Sequence, residues 1–464
     1  MKCAMFHGGP MKEYDVIVIG GGDVGLAVAF NVISSRLKVA LIEKRKLGGT
    51  CLNFGCVPSK ILIYPATLAV QINYAKKFGI RAKISDMDFR SVMNRMRRAV
   101  KSGRSSIEEA VRDSRNLDFY HEEFRFSDKY TLRSGSTQIK GRKIFIATGS
   151  RPAIPPIGGI RDINYLTNES LLDLRKKPKD MIILGGGYIG CEYAHFFSAL
   201  GTKVTVIERG NRLIPQSEPE ISELLEKLLR ERMTIHTRAE ALSVRKTPKG
   251  CALTFRNGSK GRKKQITAEE LLVAVGRRSN ADLLSLEHGG IKTNKAGYVI
   301  VNDFLETNLK NVWALGDAIG RQMFTHAGDK EAEIAWHNAN RRKKIKMDFD
   351  TVPGVVFTYP EIASVGLTEE QARKRFRVLI GRANYSDIVQ GDAMMEKEGF
   401  AKAIVDKRTR RILGFHIIGP YASHIIQEVA NVVANRSTVE YITDSMHTFP
   451  TLSELIPETL SNLK

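Results

Sequence analysis

A chain of 464 residues, 42% hydrophobic and 26% charged, is long enough for roughly three domains and has the composition of a globular protein. No run of about 18 uncharged apolar residues appears, so no membrane span is expected. The first ten residues lack the apolar stretch of a secretory signal and read as an upstream extension with no role in the fold, which points to a cytoplasmic protein. The formal charge is +22, but the positive residues are scattered in short clusters such as Arg341-Arg342-Lys343-Lys344, with no helix-turn-helix or zinc-finger pattern. That distribution describes a generally cationic, solvated surface and argues against a specific nucleic-acid site.

In chain order, residues 14–19 are apolar and β-branched, as a buried parallel strand requires. The turn Gly20-Gly-Gly-Asp-Val-Gly25, a small-residue helix and a second strand over 38–42, ending at Glu43, follow. Residues 86–113 are helical in pattern and strongly basic, with Met and Val on one side, and 122–143 read as hairpin strands. Arg151-Pro-Ala-Ile-Pro-Pro156 is a joint between domains. The opening pattern then repeats: strand 181–184, turn Gly185-Gly-Gly-Tyr-Ile-Gly190, strand 203–207 and Glu208. A loop near Gly276 returns toward the first domain, and 312–317 form a strand feeding the same site. Residues 350–464 alternate strands, such as 401–405 and 412–417, with helices, as an antiparallel sheet would.

Glycines in a GxGxxG turn let the backbone approach a pyrophosphate at a helix N-terminus. One such turn is weak evidence. Here the turn of Gly20, Gly22 and Gly25, and again that of Gly185, Gly187 and Gly190, follows an apolar strand, and a strand-ending Glu comes eighteen residues after its last glycine. A carboxylate at that strand end accepts bonds from both ribose hydroxyls and repels a 2′-phosphate. The repeat therefore predicts two dinucleotides, with Glu208 marking the second as NAD(H) and Arg209 and Arg212 lying close by. Of the five cysteines, Cys51 and Cys56 form the one close pair; Cys3, Cys191 and Cys251 read as packed small residues. With no second Cys or His pair at zinc spacing, no metal site is expected. Residues five apart on a regular helix are about 7.5 Å apart along its axis, so Cys51 and Cys56 can bond only across a distorted helix start, which Asn53 and Gly55 permit. A helix N-terminus also favours the thiolate.

The segment Gly48-Gly-Thr-Cys51-Leu-Asn-Phe-Gly-Cys56-Val-Pro-Ser-Lys60 resembles the redox motif of the pyridine nucleotide-disulfide oxidoreductases, the group of dihydrolipoamide dehydrogenase, glutathione reductase and mercuric reductase. Ala147-Thr-Gly-Ser-Arg-Pro152, Val275-Gly-Arg-Arg-Ser-Asn280, Ala314-Leu-Gly-Asp317 and Val356-Phe-Thr-Tyr-Pro-Glu-Ile-Ala-Ser-Val-Gly366 follow in family order, with Ser279 where Pro is frequent. The resemblance covers nearly the whole chain after Met11. It implies an α/β fold of two Rossmann-like dinucleotide-binding domains and a C-terminal α+β dimerisation domain. The expected boundaries are 11–150 and 277–349 for FAD, 151–276 for NAD and 350–464 for dimerisation. It implies that Gly20, Gly22, Gly25, Glu43, Thr50, Lys60, Thr148, Gly149 and Asp317 bind FAD. Gly185, Gly187, Gly190, Glu208 and Gly276 would bind NAD. It further implies a redox disulfide Cys51–Cys56, with Cys56 the thiolate against the flavin and Cys51 the interchange thiol. Lys60 and Glu192 would be an ion pair near flavin N5.

The C-terminal segment departs from the dehydrogenase pattern. That pattern places a base His directly before Pro-Thr, with Ser-Glu shortly after; this chain reads Met446-His447-Thr-Phe449-Pro450-Thr451-Leu-Ser-Glu454. Phe449 holds the base position. In an extended chain His447 would point to the same side about 6.5 Å away, oriented by Glu454, either as a substitute base or as a structural residue. Mercuric reductases also carry a non-His pair here, but they deliver metal through a C-terminal Cys pair and an N-terminal Cys-x-x-Cys domain that this sequence does not show. The leading expectation is a homodimeric dihydrolipoamide dehydrogenase oxidising a dithiol with NAD+, with a lipoyl-bearing acyltransferase as partner. The alternatives are an NAD(P)H-dependent reductase of another disulfide, a quinone or a metal ion, and a basic surface-binding protein that retains a flavoprotein fold.

Overall fold

Strand Lys12–Ile19 is buried from Val16 onward, and all four residues of its parallel neighbour Val39–Ile42 are buried. Each such aliphatic side chain contributes about 1.5–3 kcal/mol on burial, which explains the uninterrupted apolar runs. The computed structural model describes residues 11–258 and 261–464; the expectations for the upstream extension and for Cys3 fall outside the described residues. Two compact units account for the chain.

One unit comprises the chain up to Pro58, Met96–Pro152 and Arg277–Phe349. Its seven-stranded sheet runs in the order Leu117–Tyr120, Val39–Ile42, Lys12–Ile19, Thr137–Ile146, Thr131–Ser134, Arg125–Asp128, with Val312–Ala314 paired in parallel to Thr137–Ile146. The expected hairpin over 122–143 is a three-stranded antiparallel ribbon, whose last strand runs on to Ile146 and joins the parallel core.

The second unit comprises Ser59–Arg95, Ala153–Gly276 and Asp350–Lys464. It repeats the same parallel order in Thr234–His236, Lys203–Ile207, Asp180–Leu184 and Glu270–Val273, beside a three-stranded ribbon, Ala239–Thr247, Gly250–Asn257 and Lys263–Ala268. Its five-stranded antiparallel sheet, Gly354–Val356, Glu361–Gly366, Ile412–Gly419, Phe400–Asp406 and Val378–Asn384, is covered by helix Ala422–Ala434. Cys191 and Cys251 are buried in this unit, as packed small residues should be.

Within the same unit Lys402 is a buried cation. Its ammonium lies 2.8 Å from Glu218, 2.7 Å from Glu220 and 2.7 Å from Glu369. Arg382 also pairs with Glu220, and Arg373 with Glu369, whereas Glu218 has no other cation among the described residues. Burial alone would lower the Lys402 pKa; the three carboxylates more than offset it and raise it.

The basic helix expected over 86–113 is Phe89–Asp113, with Met93, Met96 and Val100 buried and Arg90, Arg95, Arg98 and Lys101 exposed. Among the described residues one stretch, Gly49–Phe78, is long and apolar enough to cross a membrane by length and composition. Its apolar window is 39% buried, and the stretch holds both close cysteines and an ion-paired Lys60.

Candidate active site

The first glycine turn leaves no room for side chains. Gly20 has φ +115°, and a Cβ there would lie 2.2 Å from the Ala147 carbonyl oxygen; one on Gly25 would lie 1.9 Å from that of Gly20. Gly22 caps helix Asp23–Ser34 without a side chain, so the N-terminal amides of that helix are not covered by a capping group. The Glu43 carboxylate accepts the Gly21 N–H at 2.8 Å and the Arg45 N–H at 2.6 Å, which fixes it at the strand end. Gly20, Gly22, Glu43, Thr50, Thr148, Gly149 and Asp317 line one cavity of about 210 Å³, and Cys51 and Cys56 line it too. Thr148 Oγ1 is buried with no hydrogen-bond partner among the described residues. A glycine cradle that a Cβ would fill, together with an orphaned hydroxyl, fits the phosphate and ribityl parts of a dinucleotide. Asp317 accepts a bond from the Ser150 hydroxyl, and Arg277 lies 3.4 Å from the same carboxylate oxygen.

The close cysteines lie on two helices. Cys51 is in Gly49–Phe54 and Cys56 opens Cys56–Tyr74, with Gly55 between them at φ −127°, ψ −110°. A Cβ on Gly55 would lie 2.9 Å from the Thr50 carbonyl oxygen. Asn53 braces the first helix by donating to the carbonyls of Leu47 at 2.9 Å and Gly49 at 3.0 Å. The helix is therefore broken between the two cysteines. The two sulfurs are in hydrogen-bond contact with each other. The bond to Cys56, then burial, pushes the Cys51 thiol up.

The second unit carries the other cradle in the same form. Gly185 has φ +105°, with its Cβ position 2.3 Å from the Ala274 carbonyl oxygen, and a Cβ on Gly190 would lie 2.0 Å from that of Gly185. Glu208 accepts the Gly186 N–H at 2.6 Å and that of Gly210. Gly187 caps the next helix with open space where a Cβ would stand, and Gly276 has φ +133° with the same openness. Arg209 is exposed; Arg212 donates to the Pro215 carbonyl at 3.0 Å.

Lys60 and Glu192 form the expected pair: the ammonium is 2.9 Å from both carboxylate oxygens, and the Phe357 N–H donates to one of them at 3.1 Å. His447 differs from expectation. Its Nε2 lies 3.0 Å from Glu428, on helix Ala422–Ala434, and its Nδ1 lies 3.1 Å from the Ser445 carbonyl oxygen. Glu454 does not orient it, because that carboxylate accepts the Thr451 N–H at 3.1 Å in a capping box of the turn Leu452–Glu454. The imidazole is tucked in, 14% exposed, while Phe449 is 69% exposed.

Sequence reasoning missed three residues of the first cavity and its floor. Thr325 Oγ1 lies 3.3 Å from Cys56 Sγ. Asp23 lines the cavity, and its charge raises the Cys51 thiol further. Glu331 is fully buried and accepts the Gly316 N–H at 2.6 Å; burial pushes its carboxyl up to about 7. Asp23 was legible inside the glycine motif. The other two sit in a helix whose sequence carries no distinguishing pattern.

Residues 14–332 match the family described as pyridine nucleotide-disulphide oxidoreductase, and residues 352–460 match that family's dimerisation domain. The dihydrolipoyl dehydrogenase of Chlamydia trachomatis is 33% identical over 456 residues, 96% of each chain. The mercuric reductase of Lysinibacillus sphaericus is 32% identical over 444 residues, 95% of this chain and 81% of that one. The mycothione reductase of Mycobacterium tuberculosis is 32% identical over 467 residues, 98% and 100%. Among solved structures, the HOCl-induced flavoprotein disulfide reductase RclA from Escherichia coli aligns with a TM-score of 0.85 at 29% identity, covering 97% of this chain and 99% of that one. Two glycine cradles, a close thiol pair on the wall of the first, and matches over nearly the full length place this chain in the pyridine nucleotide-disulphide oxidoreductase family, flavoproteins that work with FAD and NAD(P)H.

Proposed function

We propose that the chain is an NADH-dependent reductase of a small disulfide or a soft metal ion, working through Cys51 and Cys56. FAD, held by Gly20, Gly22, Glu43, Thr148 and Asp317, would supply two-electron transfer between the nicotinamide and the Cys51–Cys56 disulfide. For a disulfide substrate the balance is NADH, H+ and disulfide in, NAD+ and dithiol out. Cys56, at a helix N-terminus in the flavin cavity, would hold the charge, and Cys51 would exchange with the substrate. A second copy would be needed to complete the site. The dimerisation domain supports this, as do the exposed apolar residues Tyr64, Leu68 and Ile72, spaced by four along one helix, and Tyr441, Met446 and Phe449 in the C-terminal segment.

The observation that carries the reductase direction is His447. Both ring nitrogens face acceptor oxygens, and Phe449 holds the position of the dehydrogenase base. The His447 ring is turned to Glu428 on helix Ala422–Ala434, so the segment lacks the His-Pro pair with which the dehydrogenase pattern takes protons from a dithiol. The mercuric reductase matches and a Cu(II) complex of RclA, 29% identical, bring metal ions into the candidate substrates. The second reading, dihydrolipoyl dehydrogenase, is supported by the Chlamydia relatives, 31–33% identical over 96% of both chains.

Steady-state assays with NADH and a panel of lipoamide, glutathione disulfide, a quinone, Cu2+ and Hg2+ separate the two. His447→Ala is expected to leave turnover of the best acceptor within about twofold. If lipoamide is the best substrate and His447→Ala lowers its turnover by about 10²–10⁴-fold, the dehydrogenase reading replaces this one.

Coenzyme choice is a separate expectation. Glu208, held by two backbone amides, would meet a 2′-phosphate with a carboxylate. NADH should therefore exceed NADPH in kcat/KM by at least about tenfold, the rate equivalent of roughly 1.4 kcal/mol of charge repulsion and desolvation. Glu208→Ala should narrow that ratio. A wild-type preference for NADPH would transfer control of the pocket to Arg209 and Arg212.

A further inference from the structure

We propose that Thr325 is a positioning residue of the thiol pair, its hydroxyl donating to the Cys56 sulfur and so keeping the negative charge of the reduced pair on Cys56 rather than Cys51. This rests on the reading of Cys51 and Cys56 as the redox centre.

Three observations support it. First, Thr325 Oγ1 is 3.3 Å from Cys56 Sγ, within hydrogen-bond reach of a sulfur. Second, the hydroxyl is not on a loop. Thr325 is the first residue of the sixteen-residue helix Thr325–Asn340, and that helix is seated against helix Asp23–Ser34, where a Cβ on Gly328 would lie 2.4 Å from Val24 Cγ2. Two helices in such close approach hold the hydroxyl where a thiolate would need it. Third, the two sulfurs are unequal. Cys56 opens a nineteen-residue helix, whose N-terminal amides favour an anion. Cys51 has the reverse setting: its thiol donates to Cys56, it is partly buried, and the Asp23 carboxylate adds to the cost of charging it.

Thr325 is within reach of Cys51 as well and on its own would lower that thiol. A hydroxyl has one hydrogen, however, and it goes to the sulfur that bears the charge. With Cys51 donating and Thr325 donating, the Cys56 thiolate receives two hydrogen bonds from groups that need not move when it forms.

The experiment uses the full-length, FAD-loaded enzyme after reduction by excess dithiothreitol and its removal under nitrogen. Iodoacetamide labelling is followed from acidic to alkaline pH, and peptide mass spectrometry reads Cys51 and Cys56 separately. In the wild type, Cys56 should show the lower labelling midpoint of the two. Thr325→Val, which keeps the shape and removes the donor, should move the Cys56 labelling midpoint up by about one pH unit, a tenfold loss of thiolate below the midpoint. It should also shift label toward Cys51, and Thr325→Ser should restore both. A Thr325→Val midpoint within about 0.3 unit of wild type, or no recovery in Thr325→Ser, overturns the proposal. Thr325→Ala, read the same way, decides it if the valine variant does not fold. Because reduction is chemical, the result does not depend on turnover. Failure of NADH to generate thiols at Cys51 and Cys56 in the wild type would instead sink the redox reading on which the proposal rests.

Discussion

Cys56→Ser is expected to retain FAD and still accept electrons from NADH, while NADH-driven turnover of the disulfide or metal acceptor falls by on the order of 10⁴-fold or more, as removal of an essential nucleophile does elsewhere. Serine keeps the volume and the contact with Thr325, but at neutral pH it supplies no anion and cannot form a sulfur–sulfur bond. Cys51→Ser should lose turnover to a similar extent for a different reason, since a lone Cys56 has no partner with which to close a disulfide. The two variants should be told apart by colour. A thiolate lying against an oxidised flavin absorbs at long wavelength, so Cys51→Ser should show that band without added reductant and Cys56→Ser at no stage of reduction. Visible spectra during anaerobic NADH titration make the comparison. A band that persists in Cys56→Ser would reverse the assignment of the two sulfurs.

The largest loss of stability is expected at Lys402. Lys402→Met fits the volume of the aliphatic stem but leaves Glu218 buried without a cation, because the two arginines in the network reach Glu220 and Glu369 instead. Removing one partner of a buried pair costs about 3–5 kcal/mol, to be read from urea unfolding curves. The pH dependence has a definite sign. An unpaired, buried Glu218 would have its folded-state pKa raised above the unfolded value, so the defect should be full at neutral pH and shrink as acid protonates the carboxylate. Glu369 in the wild type works the other way. The hydrogen bond from Lys402 holds it below the usual carboxylate range, so its contribution is present at neutral pH and lost as pH falls through that lowered value. The double variant Lys402→Met, Glu218→Met should recover part of the loss. A Lys402→Met enzyme as stable as wild type at pH 7 would mean that water reaches the network.

Those two sites differ in how far the sequence announces them. Cys51, Cys56, the two glycine turns and their glutamates were legible because each needs a particular residue at a particular spacing: positive φ at Gly20 and Gly185, a backbone touching at Gly25 and Gly190, a carboxylate at a strand end. Nothing local marks Lys402, which lies in strand Phe400–Asp406 and meets glutamates from segments far away in sequence. His447 found a different carboxylate from the expected Glu454 for the same reason. Its spacing from Phe449 and Glu454 suggested an extended segment with a local acid, but Thr451 takes Glu454 into a cap, and a helix nineteen residues upstream supplies Glu428. Local spacing predicts contacts within a turn or a helix start; it does not predict which distant surface a side chain will find.

The two glycine turns are copies at the level of single atoms: the same amide of the turn donates to the strand-end carboxylate, the same second amide lies two residues beyond it, and the same carbonyl blocks the third glycine. A socket used twice without change carries no address. On the proposed assignment of flavin to the first and nicotinamide to the second, what tells them apart must lie in the surroundings: in Cys51, Thr148 and Asp317 around the first, and in Arg209, Arg212 and the open backbone at Gly187 and Gly276 around the second. The common frame of the turn and the choice between coenzymes are thus held by different residues, so that changing the surroundings can alter which coenzyme binds while the turn that receives it stays the same.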